Sequence, residues 1–329
     1  MNDKNPFLFS VIICTYNRAD LLNKAIQSLL EQDYESKNFE ILIIDNSSVD
    51  STNQIAQNYL HKRNNMKYYI EENIGLSYAR NRGMKESKGK YIAFLDDDAI
   101  APPHWLSTAN ALLRSVTSDC FGGPFFACYN SEKAKWFKDE YGSFTLGKTS
   151  RSVSSGEFLV GGNFFIKRDL LLQMGGFNSE YGMKGKAIGV GEETLLQIRL
   201  RNTFPNINIY FEPELFIYHL VRKEKMQFSY LCRLFYSSGR DSYRIFSQTT
   251  FPNELKIKQK IYMMLIQYKE IYKKIVEIIK HLTLKINSRD KNVYPYLENY
   301  VYEVCLPLFS QLAMTIEGVR IIQRIPLRK

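Results

Sequence analysis

YIAFLDDD (Tyr91–Asp98) is the stretch that decides the fold. Its apolar run has no polar interruption, which is the mark of a parallel strand covered on both faces. The run ends directly on three carboxylates. Adjacent negative charges repel one another unless a cation or solvent offsets them. One reading is a divalent cation, Mg²⁺ or Mn²⁺, which takes oxygen ligands and bridges to phosphate oxygens. The other is a solvated loop whose acidic residues cap a helix starting near Pro103.

Outward from this strand the first hundred residues alternate strand and helix patterns. FSVIICTY (Phe9–Tyr16) and FEILIID (Phe39–Asp45) read as buried strands, with a shorter one over Lys67–Ile70. Residues 18–32 put Leu21, Leu22, Ala25, Ile26, Leu29 and Leu30 on one helical face, and Leu76–Lys88 reads as a helix. Such alternation predicts a doubly wound α/β fold, with ligands at the C-terminal ends of the strands. Thr15, Asp45 and the Asp triplet then share one rim. Residues 119–190 are more irregular, a strand is expected over Ile207–Phe211, and the pattern is helical from about Ser229.

Three further groups carry candidate chemistry. Asp45 and Asn46 end the second strand, where they suit either a nucleobase or ribose contact or plain turn chemistry. Glu192 and Glu193 open a helix after GKAIGVG (185–191), as a general base beside a Gly-rich loop or as carboxylates favoured by the helix dipole. His219, after FEPELFIY, is either a metal or phosphate ligand or a structural histidine.

VIICTYNRADLL (11–22), ILIIDNSSVDST (41–52), ENIGLSYARNRGM (72–84), GKYIAFLDDDAIAPPHWL (89–106), VGGNFFIKRDLLLQMGGF (160–177) and GEETLLQIRLR (191–201) stand in one order and spacing. Together they resemble glycosyltransferase family 2, on the GT-A fold of nucleotide-sugar-dependent transferases. The resemblance covers roughly residues 8–222. It implies a Rossmann-like, mostly parallel central sheet flanked by helices, as a catalytic domain over 1–222, with a basic helical region over 223–329. It also implies inverting transfer of a sugar from a nucleotide-diphosphate sugar, expected to be a UDP-sugar, to a glycan, lipid-linked or other hydroxyl acceptor.

Carried over by position, Thr15, Tyr16, Asn17, Arg18, Asp45, Asn46, Asn73 and Arg80 would line the nucleotide. Asp96 and Asp98 would form the D-x-D, with Asp98 as direct ligand of Mn²⁺ or Mg²⁺, Asp97 near the ribose and His219 a candidate further ligand. Gly162, Asn163 and Glu192 would face the donor or acceptor sugar, and Glu193 would be the catalytic base. Two departures stand out: many relatives have Asp where Asn46 stands, and the usual Glu-Asp pair is here Glu-Glu. The Q-x-x-R-W signature of processive synthases is absent, so one sugar per encounter is expected. The competing class is a catalytically inactive nucleotide-sugar binder or scaffold of the same fold. A nucleotidyltransferase would place glycines after the first strand, where TYNRAD has none.

Composition bounds the rest. The chain has 329 residues, 45% of them hydrophobic and 14% aromatic, which excludes general disorder. Its net charge of +10 arises entirely beyond residue 222, where 19 Lys and Arg meet 9 Asp and Glu. Leu255–Lys285 holds eight Lys and two Glu, with apolar residues at helical spacing. An anionic membrane surface is one candidate partner for it, and packing on the catalytic domain or on a second subunit is the other. No nucleic-acid module is recognised. Five widely spaced cysteines without C-x-x-C predict neither disulfides nor a zinc site. No signal peptide or membrane-spanning helix is expected. The expected location is the cytoplasm, with the inner face of the cell membrane as a candidate docking place.

Overall fold

The structure is a computed structural model that describes residues 7–61, 63–247, 257–285 and 288–324. The described residues up to Asn130, Lys138–Lys186 and Glu192–Val221 form one compact unit. Ser131–Phe137, Ala187–Gly191 and the described residues from Arg222 onward form a second.

In the first unit, β1 (Phe7–Thr15), α1 (Ala19–Leu30), β2 (Phe39–Asp45), α2 (Thr52–Leu60), β3 (Met66–Ile70), α3 (Leu76–Glu86) and β4 (Gly89–Leu95) alternate as expected. They are followed by β5 (Ala99–Ile100), α4 (Trp105–Ser115), β6 (Cys120–Gly122), β7 (Phe125–Cys128), β8 (Arg151–Ser152), β9 (Asn163–Lys167), α5 (Arg168–Gln173), α6 (Glu192–Thr203), β10 (Ile209–Phe211) and β11 (Ile217–Leu220). The main sheet runs β3-β2-β1-β4-β9-β6-β10-β8, and a smaller sheet runs β5-β11-β7.

The β3-β2-β1-β4 half is parallel. Every residue of β2 is buried, with the apolar run Ile41–Ile44 at its centre. Glu40, near its start, accepts hydrogen bonds from Ser10 Oγ and the Lys88 N–H, both at 2.6 Å. Along β1, Phe9, Val11 and Ile13 join one core layer and Ile12 the other, so the two faces of the strand feed two cores.

The other half of the sheet departs from the sequence expectation. β9 is antiparallel to both β4 and β6, so the stretch 119–190 supplies the middle of the sheet. These strands have three to five residues, too few for a periodic pattern to register. The sheet divides at Gly122-Gly123. A Cβ on Gly122 would lie 2.3 Å from the Asn163 carbonyl oxygen and one on Gly123 2.0 Å from that of Leu215, so only glycine admits both backbones.

The second unit contains α7 (Phe228–Ser247), α8 (Ile257–Lys280), α9 (Leu297–Tyr300) and α10 (Leu306–Arg324), the last two joined by a π-helical turn. α7 and α10 approach closely at Gly239, where a Cβ would meet the Ser310 carbonyl oxygen at 2.0 Å. Arg244 Nε donates to the buried Glu317 across the same pair at 2.8 Å. Of the amphipathic stretch anticipated from Leu255, residues 255 and 256 lie outside the described residues, as do 325–329 of the basic terminus. Among the described residues one helix, Leu297–Arg324, is long and apolar enough to cross a membrane, which the sequence reading did not anticipate. Of its most apolar 18 residues, 44% are buried inside the protein.

Candidate active site

The parallel register sets Thr15 opposite Asp45, so the ends of β1 and β2 open on the same rim. Past β1, Asn17 takes a left-handed conformation (φ 53°) and stitches this loop to the next. Its N–H donates to Ser48 Oγ at 2.8 Å, and its Oδ1 accepts from the Val49 N–H at 2.7 Å. Asp45 is buried and accepts from the Ser48 N–H at 2.8 Å and from the Tyr68 hydroxyl. Burial, then the hydrogen bond to Asp45, pushes the Tyr68 phenol above its ordinary range. Tyr16 is half-buried beside Ile74 and Gly185.

Asn46 bonds the backbone of the neighbouring loop. Its Nδ2 donates to the carbonyls of Glu71 (3.0 Å) and Asn73 (2.7 Å), and its Oδ1 accepts from the Gly75 N–H at 2.7 Å. All its amide atoms hold the loop that leads into α3. Asn73 is exposed on that loop and donates from both its N–H and its Nδ2 to Glu71.

The three carboxylates of the triplet diverge. Asp96 is half-exposed, with Oδ1 3.4 Å from Arg80 Nη2. Asp97 is buried and accepts from Arg18 Nη1 at 2.8 Å. Burial pushes the Asp97 carboxyl up to about 6 against the pull of Arg18, and Asp98 adds to the rise. Asp98, also buried, has Oδ2 3.6 Å from Arg18 Nη1 and Oδ1 3.4 Å from His219 Nε2. The smaller sheet makes the last contact: β5 pairs His219 with Ala99, and the Leu220 N–H donates to the Asp98 carbonyl at 2.8 Å. The His219 ring rests on Phe125, centroids 4.9 Å apart.

Arg80 ties the triplet to α6. It is buried on α3 and donates from Nη1 to Glu192 at 2.6 Å. Its guanidinium lies 5.6 Å from the Phe94 ring centroid and 5.4 Å from that of Phe177. Gly161 and Gly162 are the clearance for this cluster. A Cβ on Gly161 would lie 2.8 Å from Arg80 Nη2, and one on Gly162 2.3 Å from Asp96 Oδ2. Next to Glu192, the half-buried Glu193 has one carboxylate oxygen sealed from solvent without a hydrogen-bond partner. Burial and the neighbouring Glu192 charge push its carboxyl up to about 8, with Arg80 pulling the other way. Cys14, held near Arg80 and Asp96, is pushed up to about 12 by burial and supplies no thiolate at neutral pH.

Asn163, expected at the sugar, is fully buried instead. Its Oδ1 accepts from Trp105 Nε1 at 3.0 Å, and its Nδ2 donates to the carbonyls of Pro124 (3.0 Å) and Leu215 (2.6 Å). It clamps the seam where the two sheets part, and leaves its neighbours Gly161 and Gly162 to face the cluster. Sequence reasoning also missed Gln197, one turn after Glu193. Buried, it donates to the carbonyls of Leu159 (2.9 Å) and Glu193 (3.2 Å) and accepts from the Leu159 N–H. Its four-residue spacing from Glu193 was the available signal. Among the described residues no three His, Cys, Asp or Glu side chains come together as a metal cage. Asp98 and His219 are the adjacent pair of donors.

A sheet of this order, with an acidic triplet closing its fourth strand, defines the GT-A class of fold. The chain belongs to glycosyltransferase family 2: that family's profile, "Glycosyl transferase family 2", matches residues 10–175. It is 32% identical over 179 residues to glycosyltransferase AglE of Haloferax volcanii, covering 54% of this chain and 58% of that one. The chain thus spans a little over half of AglE. To the GalNAc(5)-diNAcBac-PP-undecaprenol beta-1,3-glucosyltransferase of Campylobacter jejuni it is 26% identical over 303 residues, 85% of this chain and 89% of the other. The fold matches S. aureus TarS 1–349 in complex with UDP-GlcNAc at a TM-score of 0.54 and 17% identity, over 94% of this chain and 91% of that one. It matches the mannosyltransferase PcManGT from Pyrobaculum calidifontis, in complex with GDP-Man and Mn²⁺, at 0.54 and 16%, over 94% and 75%.

Proposed function

We propose that this protein transfers a sugar from a nucleotide-diphosphate sugar to an acceptor hydroxyl with inversion, one sugar per encounter. The observation that carries the reading is Arg80, whose one guanidinium meets Asp96 of the triplet and Glu192 beside Glu193. Two carboxylate groups far apart in sequence are thereby drawn to one place. The undecaprenol-linked substrate in the name of the Campylobacter relative supports a lipid-linked acceptor.

Asp98 and His219 fit a divalent cation of the Mg²⁺ or Mn²⁺ type. Two protein donors leave positions for phosphate oxygens and water, the usual division at such sites, and PcManGT was solved with Mn²⁺. When bound, the cation acts as a Lewis acid toward the leaving diphosphate. The protein's own groups do the rest. Arg18 fixes Asp97 and lies near Asp98, holding the triplet splayed. Asp45, oriented by Tyr68 and Ser48, is available to the nucleoside. Glu193 accepts the acceptor hydroxyl's proton as its oxygen attacks the anomeric carbon, and the departing diphosphate leaves from the opposite face. A single displacement of this kind inverts the anomeric centre and needs no enzyme nucleophile.

The test is a panel of UDP- and GDP-sugars with Mn²⁺, read first by thermal shift and then by nucleotide release and product formation. Stabilisation by one donor, with release that is lost in both Asp98→Asn and Glu193→Gln, is expected. Stabilisation with no release by the wild-type chain under any acceptor would mark a binder instead of an enzyme.

A further inference from the structure

Helix α8 has two apolar sides. Ile278 is buried, and Met264 and Ile271, at spacings of seven, are partly covered on the side that packs along α10. A second row, Ile261, Leu265, Tyr268, Tyr272, Ile275 and Ile279, alternates spacings of four and three and so forms a continuous stripe. Its members are between 42% and 69% exposed. An uncovered apolar stripe of this length marks an interaction surface.

The charges beside it select the partner. Lys258, Lys269 and Lys280 are exposed and lie along one edge of the stripe, roughly 60° to 100° round the helix from its centre. Lys273 joins them and pairs with Glu270 at 2.6 Å. Tyr262, Tyr268 and Tyr272 are exposed on or beside the stripe, and phenol rings suit the boundary between apolar and polar layers. A second copy pressed on the same stripe would need an acidic row to meet the lysine edge, and the two glutamates of α8, Glu270 and Glu277, are each paired to a lysine of the same helix.

We propose that this face of α8 lies on an anionic lipid surface, with the apolar stripe at the acyl boundary and the lysines extended to the headgroups. This goes beyond the transfer reaction and does not depend on it, because lipid binding is read without any sugar donor.

The experiment is co-sedimentation of the full chain with phosphatidylcholine vesicles and with vesicles that also contain phosphatidylglycerol, at low and high salt. Binding is expected only to the anionic vesicles and should weaken with salt. The triple variant Lys258→Gln, Lys269→Gln, Lys280→Gln should bind about a hundredfold more weakly, from roughly fivefold per lysine. Leu265→Glu with Ile275→Glu should reduce binding by at least about tenfold. The Lys→Gln variant changes only exposed side chains, so it keeps the test open if the glutamate variant misfolds. Equal binding to both vesicle types, or wild-type affinity in the lysine variant, would overturn the proposal. A dimeric mass that Leu265→Glu halves, with no vesicle binding, would overturn it in favour of a second copy.

Discussion

The two units use charge in opposite ways. In the first, arginines are drawn inward: Arg80 is buried against two aromatic rings, and Arg18 reaches the buried pair Asp97 and Asp98. In the second, Arg244 locks Glu317 between two helices, while Lys258, Lys269, Lys273 and Lys280 of α8 stand in solvent. Burying ion pairs costs desolvation that apolar packing would avoid. A cluster of them at one strand-end rim, with carboxyls pushed far from their ordinary range, marks a candidate site. In the second unit the buried Asp241 and Glu317 meet Arg240, Arg244 and Arg320 between packed helices, away from any strand end, and there the charges set packing.

The largest break in that contrast is expected at Glu193. Glu193→Gln should lower the transfer rate by about a thousandfold, the scale of a lost general base, while donor-induced thermal stabilisation stays. Retained initial rates would remove Glu193 from the reaction. Next comes Arg80→Met, which leaves Glu192 buried without its partner. It should cost about 3–5 kcal/mol in denaturant unfolding and lose transfer as well. Arg244→Met, the matching change in the second unit, should cost about 2 kcal/mol but leave donor affinity unaltered. Similar effects of both on donor affinity would erase the distinction between a site and a packing lock.

The pH dependence sharpens it further. Glu193 works as a base only when ionised, so kcat/KM should climb as pH rises through about 8, and that limb should vanish in Glu193→Gln. Stability moves the other way. The folded value lies above that of the unfolded chain, so the contribution of this group is full below the unfolded value and is lost as pH rises through about 8. Glu193→Gln should therefore raise Tm more at alkaline than at acidic pH, and a uniform effect would count against the burial assigned to it. The smallest expected effect is Lys269→Gln, within about 0.5 kcal/mol of wild-type stability by the same unfolding measurement.

The parallel half of the sheet was readable because its strands are rich in apolar and β-branched residues: Phe39–Asp45 falls at the expected boundaries and β1 within two residues of them. The triplet was readable because three carboxylates at a strand end have few physical explanations. What escaped was set by contacts distant in sequence. β9, five residues between a Gly-Gly pair and a helix, is too short to show a period and takes its place from β4 and β6 on either side. Asn46 and Asn163 look like ligand contacts in the chain, yet Asn46 has its amide committed to backbone and Asn163 to two carbonyls and the Trp105 indole. The approach of His219 to Asp98 depends on a strand of only two residues, which no periodicity could reveal.

That two-residue strand has a consequence for the order in which the protein becomes competent during synthesis. Asp98 emerges from the ribosome long before β11, whose backbone and imidazole complete its surroundings. A nascent or proteolysed fragment ending before Ile217 would carry the whole acidic triplet and still lack His219 and the Leu220 N–H beside its last member, so no such fragment should turn over a donor prematurely.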